Sequence, residues 1–100
     1  MADQNNASEL YRLSAADAVT FLRKGEISPV ELVEASAARI KATDGALNAL
    51  PTLCIERARA HAERIMKNGG TGRRDPAWLG GLPISVKDLV PVEGVRTTWG

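Results

Sequence analysis

Leu79-Gly80-Gly81-Leu82-Pro83-Ile84-Ser85-Val86-Lys87-Asp88, followed by Val92-Glu93-Gly94-Val95-Arg96-Thr97-Thr98-Trp99-Gly100, is the most informative part of the chain. Ile84 to Lys87 alternates apolar and polar, the two-residue period of a half-buried strand, and predicts a strand near residues 83–87. Ile84 and Val86 share one face; Ser85 and Lys87 share the other. Two readings of Lys87 follow. On an edge strand its ammonium points to water and guards the edge against unwanted pairing. On a central strand the polar face lines a cleft, and burial depresses the pKa until the neutral amine can accept a proton. The alternation by itself does not separate them. Ser85 does not form a dyad with Lys87, because side chains at i and i+2 of a strand project in parallel from Cα atoms about 6.5 to 7 Å apart. A nucleophile needs its base at hydrogen-bond distance, usually from another segment. Ser85 therefore reads as a small wall residue.

Upstream of this run the periodicity is helical. Ser14 and Asp17 make a pair like a capping box, and Ala15, Ala18, Val19 and Leu22 recur at helical spacing until Gly25 closes the element, predicting a helix near residues 15–24. Ser28 as N-cap, Pro29 at the first helical position and Glu31 at the third open a second helix. Its stripe of Val30, Val33, Ala37 and Ile40 ends at Asp44-Gly45, so the helix is expected over residues 29–43. Leu47 to Leu53, interrupted by Pro51, reads as an edge strand or an extended link. Ile55, Ala58, Ala62 and Ile65 mark a third helix near residues 54–67, with Glu63 and Lys67 in the favourable i, i+4 order. His61 lies off that stripe and reads as a solvated helix residue, since no partner for acid or base work is visible. Asn68 to Pro76 (NGGTGRRDP) is a breaker cluster, expected as an exposed, mobile loop without an apolar anchor. Its glycines match neither a dinucleotide-binding fingerprint nor a phosphate-binding P-loop. Residues 1–10 are polar and without period and read as a flexible leader.

Composition narrows the class. One hundred residues suit one domain at most, with 44% hydrophobic residues and 25% charged. Fifteen of the hydrophobic residues are alanines, so the core they build is thin. A net charge of +1 from 13 basic and 12 acidic residues gives no surface that would track a phosphate backbone, and nucleic acid is not expected as a direct partner. Cys54, the single cysteine, cannot close an internal disulfide, and with His61 as the single histidine it offers no metal set. Cys54 reads as a small buried hydrophobe. No apolar run approaches the roughly 20 residues of a membrane span, and no secretory leader is visible, so a cytoplasmic setting is expected.

The compound string of residues 79–100 resembles the segment around the catalytic lysine of the amidase signature family, G-[LI]-P-I-x-V-K-D followed at short spacing by G-V-x-T-T-x-G. Ser28-Pro29-Val30-Glu31-Leu32-Val33 and Leu47-Asn48-Ala49 are similar to the family's N-terminal helices, so the resemblance spans about residues 10–100. It implies an α/β fold with a mixed central sheet flanked by helices. This chain would hold the N-terminal helices and first strands, with residues 11–100 the N-terminal part of a single amidase domain cut at residue 100. It also implies a Ser-cisSer-Lys hydrolase acting on carboxylic amides, in which Lys87 takes a proton through a bridging serine. Asp88 would support Lys87 by fixing the turn after the strand, or would form only a local Asx turn. Neither serine can be placed here, and the chain alone is expected to be inactive. The resemblance implies a small-molecule amide substrate in the full-length enzyme, no cofactor and no metal, with self-association left open. Two alternatives stand beside the simple amidase. One is the glutamine-dependent aminoacyl-tRNA amidotransferase of the same family, whose A subunit releases ammonia from glutamine for a partner that modifies aminoacyl-tRNA. The other is a noncatalytic helical interaction module that offers the Val30, Val33, Ala37 and Ile40 stripe to a partner helix.

Overall fold

The structure is a computed structural model that describes residues 7–69 and 71–99. Within the segment expected as a leader, Ala7–Arg12 forms a 3-10 helix whose Leu10 is buried. The first six residues lie outside the described part. Three α-helices follow: α1 (Ala15–Lys24), α2 (Pro29–Leu47) and α3 (Ile55–Lys67).

Each of the first two helices starts where its cap chemistry allows. Ser14 Oγ accepts a hydrogen bond from the Asp17 N–H at 3.1 Å, and Gly25 ends α1 in the left-handed conformation, with its N–H donated back to the last turn. At the start of α2 the capping box is complete. Ser28 Oγ accepts from the Glu31 N–H at 3.1 Å, and the Glu31 carboxylate accepts from the Ser28 N–H at 2.8 Å.

The second helix runs beyond its expected end. Asp44-Gly45 does not stop α2, which continues to Leu47 and is capped by Asn48 at φ 56°. The reason lies in the Asp44 carboxylate. It accepts the Ala49 N–H at 2.7 Å and the Leu50 N–H at 3.3 Å, so it closes the helix exit from within the last turn instead of breaking the helix. Leu47 accordingly belongs to the helix, and the following residues up to Leu53 form an irregular link with no strand.

The core gathers Leu10, Ala18, Leu22, Ile27, Leu32 and Ala35, with Leu13, Phe21, Trp78 and Leu82 packed against it. Helix α2 packs against the 3-10 helix on one side and α3 on another. It therefore buries Pro29, Leu32, Val33 and Ala35, a wider face than the expected stripe. Val33 is buried while Val30, Ala37 and Ile40 are half-buried, so the stripe is partly covered within the chain. In α3, Ala62 is buried while Ile55, Ala58 and Ile65 are half-buried, the expected apolar face. Cys54 is half-buried at the entrance to α3 rather than buried in the core.

The expected strand near residues 83–87 is not formed. Among the described residues there is no strand, and the one β-type contact is an isolated antiparallel bridge between Val92 and Val95. A strand exists only against a neighbour that accepts and donates its backbone hydrogen bonds, and no described segment forms a β-ladder with residues 83–87 here. Ile84, 77% exposed, and Val86, 49% exposed, stay uncovered for the same reason. The described residues of the loop from Asn68 to Pro76 are exposed as expected, and the loop is tethered near its end. The Arg23 guanidinium donates to the carbonyls of Arg73 and Asp75, and both Arg23 and Arg73 lie over the Trp78 ring, at 5.3 and 5.7 Å from its centroid.

Beyond the loop the chain crosses back over the start of α2 at Gly80-Gly81. A Cβ on Gly81 would stand 2.7 Å from Pro29 Cβ, and its φ of 92° belongs to glycine. Gly45, in contrast, sits inside α2 with nothing within 4 Å of where a Cβ would be. Opposite outcomes are expected in urea unfolding. Gly81→Ala lowers stability by about 2 kcal/mol or more, from the left-handed backbone and the clash with Pro29. Gly45→Ala raises it by about 0.5 to 1 kcal/mol, from helix propensity. Equal effects of the two substitutions would contradict the placement of the crossing.

Candidate active-site segment

Lys87 lies after the Gly80-Gly81 crossing, on the exposed side of the chain. Its carbonyl accepts the Val90 N–H at 2.9 Å and so opens a turn, while its ammonium makes no hydrogen bond or ion pair among the described residues. Asp88 makes the decisive contact. One carboxylate oxygen accepts the Thr98 N–H at 2.9 Å and the other accepts the Thr98 hydroxyl. This joins positions ten residues apart, so Asp88 closes a loop from 88 to 98 rather than forming a local Asx turn.

Inside that loop the chain reverses at Val92-Glu93-Gly94-Val95, where the Val95 N–H donates to the Val92 carbonyl at 3.0 Å. Gly94 takes φ 80° at the third position of the turn, where glycine is favoured. The turn is held from outside by α3, since Arg57 Nη1 donates to the Glu93 carbonyl at 2.5 Å. The sequence does not single out Arg57. A charged residue on an exposed helix face has no periodic signature, and its partner is a backbone carbonyl 36 positions away.

An ion pair joins α3 to α2 beside their packing contact. Arg59 reaches α2 through two parallel bonds to the Glu34 carboxylate, one of them Nη2 to Oε1 at 2.9 Å, and it also binds Glu56 at 2.6 Å. The Arg59 hydrogen bonds hold the Glu34 carboxyl below the usual glutamate range, against a smaller opposing effect of desolvation. The same bonds, to Glu34 and then Glu56, hold the Arg59 guanidinium above its ordinary value. Both side chains of the pair remain partly open, 31% exposed for Arg59 and 42% for Glu34, so solvent screens the attraction.

Ser85 does not face Lys87 across a cleft. It lines a groove of about 380 Å³ with Tyr11, Ile40, Leu47, Leu50 and Ile84, and Lys87 is not among the lining residues. His61 is exposed on α3. Among the described residues no three His, Cys, Asp or Glu side chains gather into a metal site, and no helix is long and apolar enough to cross a membrane.

The structure thus brings Lys87, Asp88, Thr98 and Arg57 around one closed loop, and the family model of the amidases matches residues 31–100, which contain all four. The chain belongs to the amidase family. It corresponds to an N-terminal segment of an amidase signature protein. It is 46% identical over 94 residues to the A subunit of the glutamyl-tRNA(Gln) amidotransferase of Anaeromyxobacter dehalogenans (strain 2CP-C), covering 94% of this chain and 19% of that protein. Proteins of the same name from Rhodospirillum rubrum and Roseiflexus sp. (strain RS-1) are 42% and 39% identical, over 95% and 89% of this chain and 18% of each relative. The amidase chain therefore spans about a fifth of the length of these curated relatives. No solved structure matches it.

The Arg59–Glu34 pair makes the stability of this amidase segment depend on acid. Because the Glu34 pKa is lowered on folding, its contribution is complete above the unfolded glutamate value of about 4.3 and is lost as pH falls through the lowered folded value. Glu34→Gln should be less stable than the unaltered chain at neutral pH and should lose less stability on acidification. Parallel stability curves for the two proteins down to about pH 3 would show that the pair carries no linkage.

Proposed function

We propose that this chain supplies the lysine-bearing part of an amide-bond hydrolase, with Lys87 as the base of a Ser-cisSer-Lys triad whose serines come from parts of the protein outside the chain. The observation that carries the reading is the match of residues 31–100 to the amidases, with Lys87-Asp88 followed by Thr97-Thr98 inside it. In the complete protein residues 83–87 become a strand of a mixed sheet. The uncovered Ile84 and Val86 support this, since a β neighbour and a covering layer would remove both from water.

A strand buried in that sheet also desolvates Lys87, which this chain alone leaves exposed. The neutral amine then accepts a proton from the bridging serine as that serine takes one from the nucleophile. The nucleophile attacks the amide carbonyl, and the proton returns to the departing nitrogen. Asp88 supports the base by closing the loop that begins beside it, through both bonds to Thr98. The substrate is a small-molecule amide. The relatives favour one form of this chemistry. Their name, glutamyl-tRNA(Gln) amidotransferase, supports a glutamine amide as substrate and an assembly with other subunits, and a cytoplasmic setting goes with that reading.

The test uses the full-length enzyme. Lys87→Ala should abolish turnover, by at least about 10²- to 10⁴-fold, with folding unchanged by circular dichroism. Lys87→Arg should fail almost as completely, because a guanidinium keeps its charge and cannot take the proton. Hydrolysis of glutamine compared with simple amides separates the amidotransferase form from a general amidase. Near-normal turnover by Lys87→Arg would sink the assignment of the base, and amide hydrolysis by residues 1–100 alone would refute the need for serines from elsewhere.

A further inference from the structure

We infer that Arg57 is a positioning residue for Lys87, acting through the loop that Asp88 closes; the inference rests on the proposed role of Lys87 as the base. Lys87 stands at the neck of this loop. The neck is fixed by the Asp88 carboxylate on the Thr98 N–H and hydroxyl, and by the Val90 N–H on the Lys87 carbonyl. A loop closed only at its neck pivots about it, and the backbone direction at residue 87 pivots with it.

The far end supplies the second fixed point. Arg57, in the first turn of α3, donates from Nη1 to the Glu93 carbonyl at 2.5 Å. Gly94 lets it come this close. A Cβ there would stand 3.3 Å from the same nitrogen, so the guanidinium packs onto bare backbone. Helix α3 is in turn tied to α2 by Arg59 and Glu34. The helical layer therefore holds Glu93 through Arg57, and from Glu93 only the five-residue backbone step to Asp88 separates that anchor from the neck, which adjoins the lysine. Arg57 touches no reacting atom in this scheme. Its effect is on where the amine points, and a misplacement near 1 Å at a reacting group can cost about a hundredfold in rate.

The experiment compares Arg57→Ala, Arg57→Lys, Asp88→Ala and the Arg57→Ala/Asp88→Ala pair in the full-length enzyme, with active sites titrated so that rates refer to folded protein. Lys87→Ala is the control. Arg57→Ala should lower kcat about tenfold or more with KM within about twofold, because an interaction that aims the base acts on the chemical step. Arg57→Lys should recover most of the loss, since an ammonium can still donate to the Glu93 carbonyl. The double variant should be no worse than the poorer single one, as expected for two anchors of one loop. A kcat for Arg57→Ala within about twofold of the parent, no recovery with lysine, or fully additive losses would overturn the inference. If Lys87→Ala itself retained turnover, the failure would lie with the proposed base and not with Arg57.

Discussion

The chain from Trp78 to the Lys87 segment crosses the helices at one close approach, that of the Gly81 backbone to the Pro29 ring at the start of α2. Pro29 occupies the first helical position, where its missing N–H costs nothing and its ring presents a flat apolar wall. Only a residue without a side chain can cross that wall at this height. Trp78 before the crossing and Leu82 after it then reach the core of Leu10, Ala18, Leu22, Ile27, Leu32 and Ala35. The contact thereby fixes where the Lys87 segment leaves the helices.

Away from the core, charge replaces apolar contact as the means of joining elements. Arg23 holds the 68–76 loop by its carbonyls, Arg57 holds the 92–95 turn, and Arg59 joins α3 to α2. Arg59 uses the fork of its guanidinium on two carboxylates, Arg23 reaches two carbonyls from one nitrogen, and Arg57 reaches one carbonyl, each while keeping contact with water. Each such contact is weak when exposed. Their value here is directional, since each determines the position of a segment that has little apolar surface of its own to bury.

The helices are legible in the sequence because their signals are local. Ser28, Pro29 and Glu31 lie within four residues of one another and specify a start without reference to the rest of the chain. The end of α2 is harder to place, because Asp44-Gly45 has the composition of a stop whereas the Asp44 carboxylate satisfies backbone groups beyond the helix. The alternation at 83–87 is genuine, but strand formation is a property of two segments, and the alternation carries no information on whether the second is present. At the site, Lys87 and Asp88 stand out through a compound motif. Arg57 does not, because its role is set by a carbonyl far along the chain. The tether on the 68–76 loop is hidden for the same reason, since Arg23 and Trp78 meet only in space.

The uncovered side of residues 84–90 has a consequence for biogenesis. On the proposed reading, Ile84, Val86, Leu89 and Val90 leave the ribosome before the segments that would cover them. In relatives about five times as long as this chain, translation at about 5 to 20 residues per second leaves that apolar edge open for on the order of tens of seconds. On that reading, shielding of this edge during the interval bears on how much protein escapes aggregation.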